Sequence, residues 1–159
     1  MDTGKREKLK QKIKDASAKR RTEEILFQIG NIINLEDEKL TPSPLEQAHK
    51  IRSAVQGCLI ACKNREAKQF ESEMELLTHT KTVLTAWHVE HILIGALQDE
   101  DYIPLIRCPL QLVLYNLRNF YRILARNIVI SALDGANTII LELDHYSSGD
   151  VYTFSVVQI

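Results

Sequence analysis

The sequence predicts an α+β chain, predominantly α: a helical bundle of four to five helices closed by a C-terminal β-hairpin. Three observations carry that expectation. Apolar residues recur three and four apart along most of residues 22–134, the spacing that gathers them on one helical face. Near residue 139 the period shortens to two, and β-branched and aromatic residues accumulate, as in strands. With 159 residues, 45% of them apolar and 26% charged, the chain is long enough to bury one core without staples.

The first element is a basic arm, residues 1–21. "KREKLKQKIKDASAKRR" contains good helix formers, with Leu9 and Ile13 four apart as its apolar anchors. Such a helix, or a frayed segment, needs a partner or the body of the protein to order it. Residues 22–159 form the expected bundle domain. "RTEEILFQIGNIINLED" puts Ile25, Ile29, Ile32 and Ile33 on one face, with Glu23 and Glu24 in the first turn, where the helix dipole favours acids. In "LTPSPLEQ", Ser43, Pro44 and Glu46 have the spacing of a capping box with proline at the first helical position. Behind it Ala48, Ile51, Val55, Cys58 and Cys62 make a narrow seam.

"KNRE" is a corner. From Ala67 the seam resumes through Phe70, Met74, Leu77, Leu84, Trp87, His91 and Ile94, so a helix is expected to run on to about Leu97. Pro109 opens the last helix, with Val113, Leu117, Phe120 or Tyr121, Leu124, Ile128 and Ala132 along its buried stripe. Arg118, Arg122 and Arg126 form a cationic row beside that stripe, and Asp134-Gly135 ends the helix. "TIILELD" and "VYTFSVVQ", joined by the turn-forming "HYSSGD", read as a β-hairpin over residues 137–159. Its outer strand, 151–158, is expected to be an open edge for docking, because a lone hairpin needs something to cover it.

Charge layout is the clearest functional signal. The net charge of −1 divides unevenly. Residues 1–21 hold nine cations (Lys5, Arg6, Lys8, Lys10, Lys12, Lys14, Lys19, Arg20 and Arg21) against three acids. That arm suits nucleic-acid phosphates or an acidic partner, and Arg118, Arg122 and Arg126 are candidates to extend the footprint. No apolar stretch is long enough for a membrane span. Three unevenly spaced cysteines point to a reducing, intracellular setting, cytoplasmic or nuclear.

Catalytic patterns are missing. Six glycines build neither G-x-x-x-x-G-K nor G-x-G-x-x-G. "WHVEH" (residues 87–91) lacks the spacing of H-E-x-x-H. On a helix, His88 and His91 share a face, so their one route to a metal is a Cys₂His₂ site with Cys58 and Cys62. Packing accounts for the same four residues. Cys108 before Pro109 fits a buried thiol at a helix start better than a nucleophile.

Residues 115–157, "YNLRNFYRILARNIVISALDGANTIILELDHYSSGDVYTFSVV", resemble the first part of the ATP-binding fold of bacterial histidine kinases. The resemblance implies an asparagine-bearing helix leading into a hairpin, with Asn116, Asn119 or Asn127 as that asparagine. It further implies a dimeric phosphotransfer protein accepting phosphate on His79, His88 or His91. The nucleotide-binding D-x-G-x-G does not follow, so ATP binding is not expected. The leading expectation is a non-catalytic assembly or adaptor module without a cofactor. It would bind a protein partner or a second copy through its helical seams, with Ala48, Ile51, Val55, Leu77, Leu84 and Trp87 as seam or core, and through the ribbon. The alternatives are DNA or RNA binding through residues 1–21, and the phosphotransfer reading.

Overall fold

A computed structural model describes residues 3–33, 40–61, 65–97 and 103–158. Among these residues, four helices surround one seven-stranded antiparallel sheet. That overturns the expected helical bundle. The C-terminal hairpin forms, but as two strands of seven. In chain order the elements are α1 (Thr3–Ile32), β1 (Thr41–Pro42), α2 (Leu45–Ala61), β2 (Arg65–Phe70), α3 (Glu73–Thr85), β3 (His91–Ala96), β4 (Ile106–Pro109), α4 (Leu110–Ile123), β5 (Ile128–Ala132), β6 (Thr138–Tyr146) and β7 (Gly149–Val157). Across the sheet the order is β1-β4-β3-β5-β6-β7-β2.

Two expected helices are shorter than their apolar spacing suggested. The stretch expected as one helix from Ala67 to Leu97 is a strand, a helix and a strand. Ser72 caps α3, its hydroxyl accepting from the Glu75 amide at 3.2 Å, and the turn after the helix holds His88 at φ 50°. The last expected helix stops at Ile123 because Ala125 and Arg126 both enter the left-handed region, at φ 62°, which no right-handed helix can pass. The β-branched "IVISA" then forms β5.

Central strands show why the period misled. In β3, Ile92 and Ile94 face one core while Leu93 faces the other; Ile128 and Ile130 oppose Val129 in β5, and Ile139 and Leu141 oppose Ile140 in β6. A strand buried on both faces is apolar throughout, and a short apolar run fits a helical spacing as well as a strand. On one face α2 lays Ala48, Ile51 and Val55 against Leu93, Leu105, Val129, Ile140 and Val157. On the other, α1, α3 and α4 build the larger core, with Ile25, Ile29, Leu76, Leu84, Leu117 and Phe120 around the opposite side chains of the strands.

The segment 41–45 departs from the capping box. Ser43 instead serves the sheet: its amide donates to the Leu105 carbonyl at 2.7 Å, and its hydroxyl accepts from the Leu105 amide at 3.0 Å. β7 is not an open edge, because β6 pairs with one side of it and β2 with the other. The docking strand expected at 151–158 is therefore interior, and β2 takes the outer position.

Candidate functional site

The arm is the first half of α1. Residues 3–17 are all exposed, and burial begins at Ala18 and continues at Thr22, Ile25 and Ile29. The helix is thus anchored by its second half and extends about 22 Å beyond that anchor at 1.5 Å per residue. Its outer cations differ from its inner ones. Lys19 reaches Glu23 at 4.0 Å, Arg20 reaches Glu24 at 3.2 Å and Arg21 reaches Glu24 at 3.9 Å. Among the described residues, no ion pair forms along Lys5, Arg6, Lys8, Lys10, Lys12 and Lys14.

Apolar side chains lie between those charges. Leu9 is 54% exposed, Ile13 61% and Phe27 69%. At about 100° per residue, Leu9 and Phe27 fall on one meridian, Ile13 lies about 40° away, and all are roughly opposite Ile29. The helix therefore carries two apolar stripes, one spent on the body and one turned to solvent.

The arginine row sits elsewhere, between α3 and α4. Arg118 and Arg122 donate to Glu73 Oε1, each with a contact at 3.1 Å, and Arg126 approaches Oε2 at 3.8 Å. Arg126 belongs to this set because the left-handed turn folds it back toward α3. Three guanidiniums thus converge on one carboxylate in the first turn of α3. The shared carboxylate joins the two helices at the surface, and the cations keep a local excess of positive charge. Beside it, Glu73, Met74, Leu77, Thr78, Lys81 and Arg118 line a pocket of about 420 Å³. Below, the Tyr121 hydroxyl is buried with no hydrogen-bond partner among the described residues. Burial, reinforced by the Glu73 carboxylate, raises its pKa well above the usual tyrosine value.

The structure separates the proposed metal ligands. Cys62 lies outside the described residues. Cys58 is on α2, with its Sγ 3.9 Å from the Gln158 carbonyl. His88 is in the turn after α3, whereas His91 begins β3, so the helical face they were expected to share does not exist. Among the described residues no group of three His, Cys, Asp or Glu is placed to hold a metal.

Two of the three asparagines of the kinase resemblance serve the backbone: Asn116 Nδ2 donates to the Leu112 carbonyl at 3.0 Å, and Asn127 Oδ1 accepts from the Leu143 amide at 3.2 Å, while Asn119 lies on α4. His79 packs between Phe70 and Phe154, with ring centroids 5.2 and 4.6 Å away. Desolvation, followed by the Lys68 charge, lowers its pKa. Of the seam residues, Ala48, Ile51, Val55, Leu77 and Leu84 are buried, and Trp87 packs at the margin of the larger core. The five buried residues belong to the two cores, and only Trp87 keeps part of its surface exposed.

Sequence reasoning missed one central residue. Arg52 is 1% exposed and reaches through the α2 layer. Its guanidinium donates to the Ala96 carbonyl at 3.3 Å and to the Ile103 carbonyl. These carbonyls flank residues 98–102, so one side chain ties together the ends of β3 and the chain entering β4. A Cβ at Gly95 would lie 2.6 Å from Leu105 Cδ2 and 3.2 Å from the Arg52 guanidinium, so the clamp needs glycine there. The sole advance signal was an arginine one step off the α2 seam.

No family model matches the chain, and no curated protein matches it. No described helix is long and apolar enough to cross a membrane.

Proposed function

We propose that this protein is a non-catalytic assembly module that captures an acidic, amphipathic helix of a partner protein along the free half of α1. The observation that carries the proposal is the continuous exposure of residues 3–17 on a helix anchored from Ala18 onward. Charge selects the partner: six cations against Glu7 and Asp15 repel a second copy of the same helix and attract acids. The apolar stripe favours protein over phosphate. Leu9 and Ile13, four apart, match the spacing with which one helix seats another, whereas phosphate contact needs cations alone. The free thiol of Cys58 fits a reducing compartment for this work.

Titration with a labelled Leu/Glu heptad peptide tests the reading. The intact chain should bind it, and Leu9→Asp with Ile13→Asp should abolish binding without lowering thermal stability. A second reading, nucleic-acid binding, rests on the unpaired cations of residues 5–14. It prevails if duplex DNA or RNA binds with steep salt dependence and the double variant binds equally well. Failure to bind either probe removes α1 as the docking element.

A further inference from the structure

We infer that two copies of this chain join edge to edge through β2, forming one continuous fourteen-stranded sheet. β2 (Arg65–Phe70) is the outermost strand on its side of the sheet and pairs only with β7 among the described residues. Residues 66–69 are exposed. The opposite edge, β1, has two residues and offers no comparable template. Six residues of open strand demand an explanation, because free edges recruit other strands.

The register of self-pairing follows from backbone geometry. Along an antiparallel strand, alternate residues turn their amide and carbonyl to one neighbour or the other. A residue turned outward must face another turned outward, so the numbers of each facing pair must sum to an even value. Centring the two-fold on Glu66 or on Lys68 opposes like charges at the axis, which destabilises the pair. Centring it on Ala67 removes both clashes. Glu66 then faces Lys68 of the second copy, Lys68 faces its Glu66, and Arg65 faces Gln69 on the other surface. The strand "REAKQF" is thus complementary to itself in this register, and that complementarity selects a second copy as the occupant.

An independent feature lies beside this edge. A two-fold perpendicular to the sheet keeps matching faces together, so both α3 helices lie on one side. α3 contacts both β2 and β7 and runs over that strand pair. With strands about 4.8 Å apart, the symmetry sets the two α3 axes roughly 10 Å apart, the distance at which helices pack. An open groove of about 550 Å³ lies there, lined by Phe70, Met74, Glu75, Thr78, His79 and Thr82, with Met74 76% exposed. Edge pairing brings this groove against its own image. α1 takes no part, which separates this interface from the partner site.

Sedimentation equilibrium on the full chain reads the result. The native protein should be a dimer at micromolar concentration. Glu66→Lys and Lys68→Glu should each weaken the dimer roughly tenfold or more, since each opposes like charges across the strands. The double variant E66K/K68E should regain native affinity, and all three should melt like the native monomer fold under dilution. Leu9→Asp with Ile13→Asp should leave the dimer intact. A monomer at all concentrations overturns the inference. So does a dimer indifferent to both single charge reversals, or one dissolved by the α1 variant and untouched by E66K.

Discussion

At the scale of single residues, stability depends on a few side chains that no periodic pattern marks. Arg52→Ala should cost about 2–4 kcal/mol, because it opens a cavity and strands two buried carbonyls; chemical denaturation measures this, and a loss below half a kcal/mol would refute the clamp. Gly95→Ala should destabilise through the same contact. Ala125→Gly should raise stability by about 1 kcal/mol, since the left-handed turn costs a non-glycine residue about that much. His79 adds a pH dependence. Its folded pKa lies below the ordinary 6.5, so the unfolded chain binds the proton more readily, and the histidine's contribution is complete above pH 6.5. It is lost as pH falls through 6.5 toward the folded value. Thermal melts from pH 7.5 to 5.5 should show that decline, and His79→Phe, which keeps the ring between Phe70 and Phe154, should flatten it.

At the scale of elements, legibility followed burial. α2 could be read because it shows one apolar stripe against polar flanks, with Ala48, Ile51 and Val55 meeting the core; the second half of α1 could be read from Ile25 and Ile29, but its continuity with the basic arm as one helix could not. The hairpin could be read because β6 and β7 are rich in β-branched and aromatic residues and meet at an exposed turn. β3 and β5 could not. "HILIGA" and "IVISA" are buried along nearly their whole length, and the polar alternation that marks a strand vanishes when both faces are covered. Their β-branched content was the remaining signal, and spacing outweighed it. The start of α3 was legible as Ser72 and Glu75, a second capping-box spacing masked by the neighbouring apolar seam. The charge layout of α1 was visible at once, but its free half was not, because that depends on where the body ends. Glu73 supports a prediction here. Glu73→Gln should loosen the α3–α4 junction by less than about 1 kcal/mol, since its three arginines are substantially exposed and water replaces the carboxylate. A double-mutant cycle with Arg122→Ala measures that coupling.

At the scale of the whole molecule, the sheet divides the protein into two working parts. One core, beneath α2, is small and closed by Arg52. The other holds α3 and α4 and anchors the second half of α1, so the basic first half stands free. The open β2 edge lies at one end of the sheet, and the proposed partner site on α1 does not use it, so the proposed self-pairing and the proposed partner capture should be separable. Leu84→Ala, in the larger core, should cost about 2–5 kcal/mol and weaken both proposed interactions together, whereas Leu9→Asp with Ile13→Asp should remove the proposed partner capture alone. Hydrogen–deuterium exchange of the full chain, with and without the acidic heptad peptide, distinguishes capture on α1 from any other mode of binding. Residues 3–17 should exchange fast in the free protein, residues 18–32 slowly, and 3–17 should become protected when the peptide binds. Peptide-induced protection confined to the sheet or to α3 and α4, with residues 3–17 unchanged, would contradict capture on α1.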